Sequence, residues 1–360
     1  MKTLLRLKFI IILAALIIIL NLLFLSQGVA EFFSVTISRF LNIAISSIFS
    51  IFGTFSITEW LFLFLIIFFI VKIVLLIINL IRLRLLKVKK SLLRLITAIL
   101  FIVLLINLTM TSGYSRRTLD EPLNLTLETL DEAKLKSASL YYSEKLKNAN
   151  LEIERNENGD VDLPYSFSEI NELLNAEYEK LEGNFFTKHA FKAKKIILSD
   201  ALISFSITGI YFPLTCEPNI NTTCPPYQLP VTMAHELAHA SGIMRENEAN
   251  FLAYYICINS DDAYLKYCGL LYASRIMINN YAVFNETEAI DLYNNLPQDI
   301  KTEYSNASVF YQEHENEFLT SISEFFNNLW LNSNKVSDGV KSYSDTAVRL
   351  HALYKNLSEA

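Results

Sequence analysis

Three long apolar runs in the first 112 residues, at about 9–25, 60–80 and 92–108, constrain this chain more than any other feature. An α-helix rises about 1.5 Å per residue, so roughly twenty such residues match the hydrocarbon thickness of a bilayer, about 30 Å. Residues 1–112 are therefore expected to form a membrane region of three transmembrane helices, with the lipid bilayer as partner. The first run follows Lys2, Arg6 and Lys8 as a signal peptide would. It is longer than the apolar part of a signal peptide and no A-x-A cleavage site follows at once, so it reads as a retained helix. Residues 26–56 are apolar but interrupted by Ser, Gly and Thr, and the helical spacing in SRFLNIAISSIFSIF suits a segment lying at the membrane interface. Lys72, the one charge in the second run, suits a side chain that snorkels or faces a neighbouring helix and is given no catalytic role.

Charge divides the chain at the same place. Residues 1–112 contain 11 of the 31 Lys and Arg and 2 of the 37 Asp and Glu, which leaves 20 basic and 35 acidic side chains beyond them. An acidic second half offers no basic surface to phosphates, so nucleic acid is not an expected partner. Arg82, Arg84, Lys87, Lys89 and Lys90 form a compact basic loop between the second and third runs. The positive-inside rule places this loop and the basic N-terminus in the cytoplasm, and three crossings then carry residues 113–360 outside. Arg116 and Arg117 oppose this mildly.

After a linker at 111–122, the spacing of apolar residues predicts helices over 125–150, 167–181, 188–204, 252–259, 263–279, 286–295 and 309–331, with a last one opening near Gly339 and ending at Asn356. Ser166 or Ser168 is a candidate cap for the second of these. SITGIYFPL, residues 206–214, is β-branched and aromatic, which predicts a strand. Cys216, Cys224, Cys257 and Cys268 all lie in this half. Outside the cytosol they permit two disulfides, most simply Cys216–Cys224 and Cys257–Cys268, and the equal alternative is four free buried thiols.

The stretch that carries chemistry is VTMAHELAHASGIMRENEANFLA, residues 231–253, with His235-Glu236-Leu237-Ala238-His239 inside it. Two histidines four apart on a helix lie one turn above the other on one face, so both imidazoles can reach one zinc ion. Glu236 is placed to act as the general base toward water that the metal acidifies. Small and apolar neighbours, Ala234, Leu237, Ala238 and Ala240, predict a buried helix rather than a solvated one. Ser241-Gly242 predicts its end, because glycine can take a positive φ.

A second helix is predicted from near Met244, carrying Arg245-Glu246-Asn247-Glu248-Ala249-Asn250. Here the chain resembles the gluzincin class of zinc metallopeptidases, in which HExxH is completed by a glutamate on a following helix. Two alignments compete. Glu246 followed by Asn250 matches the ExxA(D/N) pattern, with Asn250 orienting a ligand from behind, whereas Asn247-Glu248-Ala249 matches the Asn-Glu pair of thermolysin-like and aminopeptidase-like enzymes. Glu246 is the favoured third ligand and Glu248 the alternative. The third histidine of the metzincins would fall at Arg245, so that resemblance fails. The layout as a whole, with three apolar spans followed by AHELAH and EANF, also resembles a bacterial membrane-protein family of unknown function that is grouped with metallopeptidases.

The resemblance implies an N-terminal three-helix transmembrane region followed by a mainly α-helical, zincin-like extracytoplasmic domain with minor β-structure. The implied activity is zinc-dependent hydrolysis of peptide bonds in extracytoplasmic or membrane-proximal proteins. Zinc would be held by His235, His239 and Glu246, with Glu236 catalytic. Tyr211, Arg245 and Tyr254 are candidates for oxyanion or substrate contacts, and strand 206–214 could hold a peptide by β-augmentation. The competing function is a receptor or scaffold with a structural zinc site. His189, His314 and His351 are read as structural.

Overall fold

The computed structural model describes residues 2–333 and 342–359. Its N-terminal part holds four helices, α1 (Lys2–Leu23), α2 (Gln27–Ser50), α3 (Ile57–Ile81) and α4 (Leu85–Ser115), all long and apolar enough to cross a membrane. The sequence predicted three such helices and an interfacial stretch, so α2 is the addition. The helix of α4 also runs on through the first part of the expected linker.

A π-turn interrupts α2 at Ser34–Ser38 and α4 at Asn107–Thr111, and the two turns meet. There Ser38 Oγ donates to the Leu108 carbonyl at 2.7 Å and lies 3.0 Å from Ser112 Oγ. At the end of α1, Asn21 donates to Asn107 at 2.6 Å. The C-terminal ends of α1 and α4 therefore lie together, and the basic N-terminus shares the opposite end with the basic loop.

Along α2 the usual polarity of a helix on a folded domain is inverted. Ser34, Ser38, Asn42 and Ser46, each four residues from the last, form its buried stripe, while Phe40 and Ile48 on the other side are 70% and 61% exposed. The polar stripe finds partners in the rest of the chain, as when Asn42 accepts from Cys216 Sγ at 3.4 Å. Both ends of α2 face that same part: Glu31 pairs with Arg116, and the Phe49 carbonyl accepts from Lys194. Arg116 is 1% exposed, bonded to Glu31 and stacked on Phe185 with its Cζ 3.7 Å from the ring centroid. It is thus an internal ion pair rather than a free surface charge.

Beyond α4 come α5 (Glu132–Asn150), α6 (Phe167–Lys180), β1 (Lys194–Lys195), α7 (Ser199–Ile203), β2 (Gly209–Phe212), β3 (Glu217–Ile220), α8 (Gln228–Ala240), α9 (Glu246–Ile258), α10 (Ala263–Ala282), α11 (Glu286–Asn294), α12 (Gln298–His314), α13 (Glu317–Ser333) and α14 (Ser342–Glu359). Ser166 caps α6 in a reciprocal box with Glu169. Helices α8, α9 and α10 pack side by side, with α5 against α10 and α14 across α9 and α10. One apolar core runs through them, from Tyr142 and Leu174 to Phe251, Tyr267 and Leu350.

The small sheet has the order β1-β3-β2, with β3 parallel to β1 and antiparallel to β2. The expected helix over 188–204 is mostly absent. Phe191 and Ala193 are buried with Lys192 between them exposed, an alternation that suits extended chain, and only Ser199–Ile203 is helical. Long-range pairing with β3 and the Lys194 hydrogen bonds to Phe49 and Gly53 carbonyls outweigh local helix propensity there. The predicted helix over 309–331 is broken between His314 and Glu317, and that over 125–150 starts only at Glu132, where Asp131 caps it. Gly339, the expected opening of the last helix, lies outside the described residues. All four cysteines are free, and Cys216 is turned toward Asn42 rather than toward Cys224.

Candidate metal centre

Helix α8 puts His235 and His239 one turn apart, and their rings meet edge to face with centroids 4.6 Å apart. It ends as the sequence predicted. Gly242 takes φ +95°, the Gly242 and Ile243 amides donate back to the carbonyls of His239 and Ala238, and the chain reverses into α9. The reversal brings the Ile243 carbonyl to 2.7 Å from His239 Nδ1. An imidazole that donates from Nδ1 presents the lone pair of Nε2, which is the tautomer a metal requires.

Glu246, in the first turn of α9, meets the Nε2 atoms of both histidines. One carboxylate oxygen lies 3.3 Å from His235 Nε2 and the other 3.6 Å from His239 Nε2. The three residues offer one ligand atom each, all within 4.8 Å of one another, which is the spread that three ligands of one metal ion require. Burial alone would push the His239 imidazole down, but the Glu246 carboxylate outweighs it and raises the group to about 9. The same pairing holds Glu246 well below the usual carboxylate range, against the opposing effect of burial.

Glu248, two residues on, faces another way. It is 1% exposed and accepts from Arg245 Nη1 at 2.7 Å. The other Arg245 donors go to the carbonyls of Tyr114 and Arg116. Arg245, a sequence candidate for substrate contact, thus has its guanidinium committed to holding α9 against the end of α4. Asn250 lies one turn beyond Glu246 on α9. Tyr254 stacks on Tyr272 with ring centroids 5.2 Å apart and belongs to the apolar core. His314 stacks on Phe310, and His189 meets Phe191 edge to face, so neither joins the centre.

Glu236 points to the other side of α8, toward β2. It is 4% exposed, and its Oε2 has no hydrogen-bond partner among the described residues. Burial raises its carboxyl pKa, and the two imidazoles and the Tyr211 backbone amide offset this in part. The strand comes so close that a Cβ added at Gly209 would stand 2.6 Å from Glu236 Oε1. Gly209 is a candidate-site position that sequence reasoning missed; the glycine inside a predicted strand was the available signal.

Strand β2 is the edge of its sheet. The Asn221 amide donates to the Thr208 carbonyl at 2.8 Å, so residues 208, 210 and 212 make the ladder with β3. Gly209 and Tyr211 then direct their backbone groups to the open edge, on the Glu236 side. Pro218, which has no amide hydrogen, falls opposite Tyr211, where the ladder needs none. The Tyr211 ring lies 6.5 Å from that of His239, and its hydroxyl is buried beside the Cys216 thiol.

Several buried contacts fix this assembly. Tyr178 Oη donates to the Ala234 carbonyl at 2.6 Å and Thr187 Oγ1 to the Ser241 carbonyl at 2.8 Å, which ties both ends of the motif to the chain before β1. A cavity of about 650 Å³ lies beyond the first turn of α8, between Gln228, Arg275, Tyr311 and Glu315, and neither histidine nor Glu246 borders it.

No curated protein and no solved structure matches the chain. One family does, described as "Protein of unknown function (DUF3810)", over residues 33–350. That span takes in most of α2, the apolar helices α3 and α4, the sheet and the His235–His239–Glu246 cluster, and the chain accordingly belongs to this family.

Proposed function

We propose that this protein is a membrane-anchored zinc metallopeptidase that hydrolyses peptide bonds of extracytoplasmic or membrane-proximal proteins. The observation that carries the reading is the convergence of His235 Nε2, His239 Nε2 and the Glu246 carboxylate within 4.8 Å, beside a buried glutamate that takes no part in the cluster. Two imidazoles and one carboxylate are a donor set that suits zinc and leaves a coordination position open. An edge strand lying along the HExxH helix also supports a zincin-like fold.

Bound there, zinc would supply a Lewis acid that polarises a peptide carbonyl and acidifies water. The chain's own residues supply the rest. Ile243 fixes the His239 tautomer, and Glu246 is held ionised by its neighbours. An extended peptide can pair with the outward backbone groups of Gly209 and Tyr211, which sets its carbonyl beside Glu236. Glu236 Oε2, lacking a partner and with its proton affinity raised by burial, takes the proton from the attacking water and passes it to the departing amine. Among the sequence candidates for oxyanion contact, Tyr211 has its ring 6.5 Å from that of His239.

For topology, the shared end of the basic N-terminus and the basic loop supports a cytoplasmic position for both. Helix α2 starts and finishes against the domain, which supports three crossings, α1, α3 and α4, and an extracytoplasmic site.

The test is peptide hydrolysis by the full-length protein in detergent or vesicles. Wild type should cleave in a chelator-sensitive manner, and Glu236→Gln should retain metal and lose at least about 100-fold in rate. Metal binding without any hydrolysis in the wild type would favour a scaffold with a structural metal instead.

A further inference from the structure

The direction of β2 relative to the membrane helices bears on the substrate. Before α3 begins, the chain runs beside the sheet. The Thr54 carbonyl accepts from the Lys195 amide, Ser56 Oγ donates to Asn219 at 2.7 Å, and Thr58 donates to Glu217 through both its amide and its hydroxyl, at 2.9 and 2.7 Å. These contacts move along β3 from its C-terminal to its N-terminal end, which is the direction of β2. One turn further on, Phe62 of α3 meets Phe212 at the end of β2, with ring centroids 6.4 Å apart. The turn after β2 is seated on α4, where Thr109 Oγ1 donates to the Pro213 carbonyl at 3.1 Å. Strand β2 thus runs from the metal centre toward the transmembrane helices.

The other edge of the sheet is closed, because Phe55 bridges to Lys195 on β1. The open edge at β2 is also the one beside Glu236. Lipid level is marked by two features next to it. Helix α2 buries its polar stripe and turns Phe40, Ile48 and Ile37 outward, and α3 exposes Trp60 and Phe62 from its first turns. An apolar outer face continuous with transmembrane helices is covered by lipid rather than by water.

Resting on the peptidase reading above, we infer that the substrate is the segment of a membrane-anchored polypeptide that has just left the bilayer. It lies along β2, with the membrane-side part of the segment near Phe212 and the scissile bond near Gly209 and Tyr211. At about 3.4 Å per residue, three strand residues span roughly 10 Å, which puts the cut about 3–6 residues from the lipid boundary.

The experiment uses the full-length protein in phosphatidylcholine–phosphatidylglycerol vesicles and one reporter sequence presented in three ways. It is attached to a transmembrane helix by a spacer of about 3 residues, attached by a stiff proline-rich spacer of about 20 residues, or left free in solution. The short-spacer substrate should be cut at least about tenfold faster than the other two, at 3–6 residues from the helix end. Phe40→Glu with Ile48→Glu should erase that preference while metal content and the rate on the free peptide stay unchanged. Equal rates on all three presentations, with cleavage still abolished by Glu236→Gln, would overturn the substrate assignment and leave the peptidase reading standing. Absence of Glu236-dependent cleavage in any presentation would overturn both.

Discussion

At the scale of single residues, the site depends on which side of a helix turn each carboxylate occupies. Glu246 and Glu248 are two residues apart on α9, hence roughly 200° apart around its axis, so one can face the histidines only if the other does not. The sequence made the pair visible and could not choose between them, because the choice depends on where Arg245 is anchored. That anchor is the end of α4, more than a hundred residues earlier. Glu248→Ala should therefore keep metal, whereas Glu246→Ala should not. A different residue test concerns Gly209. Any side chain there meets the Glu236 carboxylate, and a displacement of about 1 Å in a catalytic group can cost about 100-fold. Gly209→Ala should lower hydrolysis by about that factor with metal content unchanged; an active variant would show that β2 does not position the base.

Among the elements, those defined by local chemistry were the most legible. The i,i+4 histidines, the Gly242 stop and the Ser166 cap are all encoded within a few residues, and the structure has each of them. Helix α2 was read only halfway. Its periodicity showed two faces, but periodicity does not say which face is buried when the surroundings are lipid rather than water. Lys194 was illegible for the opposite reason, since a lysine that is 1% exposed runs against its polarity and is stabilised by two carbonyls and Glu217 from distant parts of the chain. The ion pair between α2 and Arg116 gives an energetic test. Removing one partner of a buried pair typically costs about 3 kcal/mol or more, because the remaining charge is left uncompensated. Glu31→Ala should thus destabilise the protein by about 3 kcal/mol in denaturant titration, and a change within about 0.5 kcal/mol would mean that α2 is not docked on the domain as described.

For the molecule as a whole, the sequence suggested a boundary near residue 112, with an independent domain beyond it. The structure joins the two sides more closely. Thr58 and Glu217, Lys194 and the Phe49 carbonyl of α2, and Glu31 and Arg116 all cross that line. Thr109 of α4 also donates to the Pro213 carbonyl just after β2. A fragment of residues 113–360 should accordingly bind metal poorly and expose apolar surface. A fragment that is monomeric, folded and metal-loaded would contradict the coupling. Topology is tested separately: in intact cells, an impermeant thiol reagent should label a cysteine placed at 280–300 but not Lys89→Cys.

Retention of one metal ion by His235, His239 and Glu246 together underlies everything proposed for the site. Its most direct measurement is the metal content of the purified full-length protein, wild type beside Glu246→Ala and Glu248→Ala. About one equivalent of zinc is expected in the wild type and in Glu248→Ala, and less than about one-tenth of an equivalent in Glu246→Ala. Full zinc in Glu246→Ala, or none in the wild type after zinc is supplied, would contradict it.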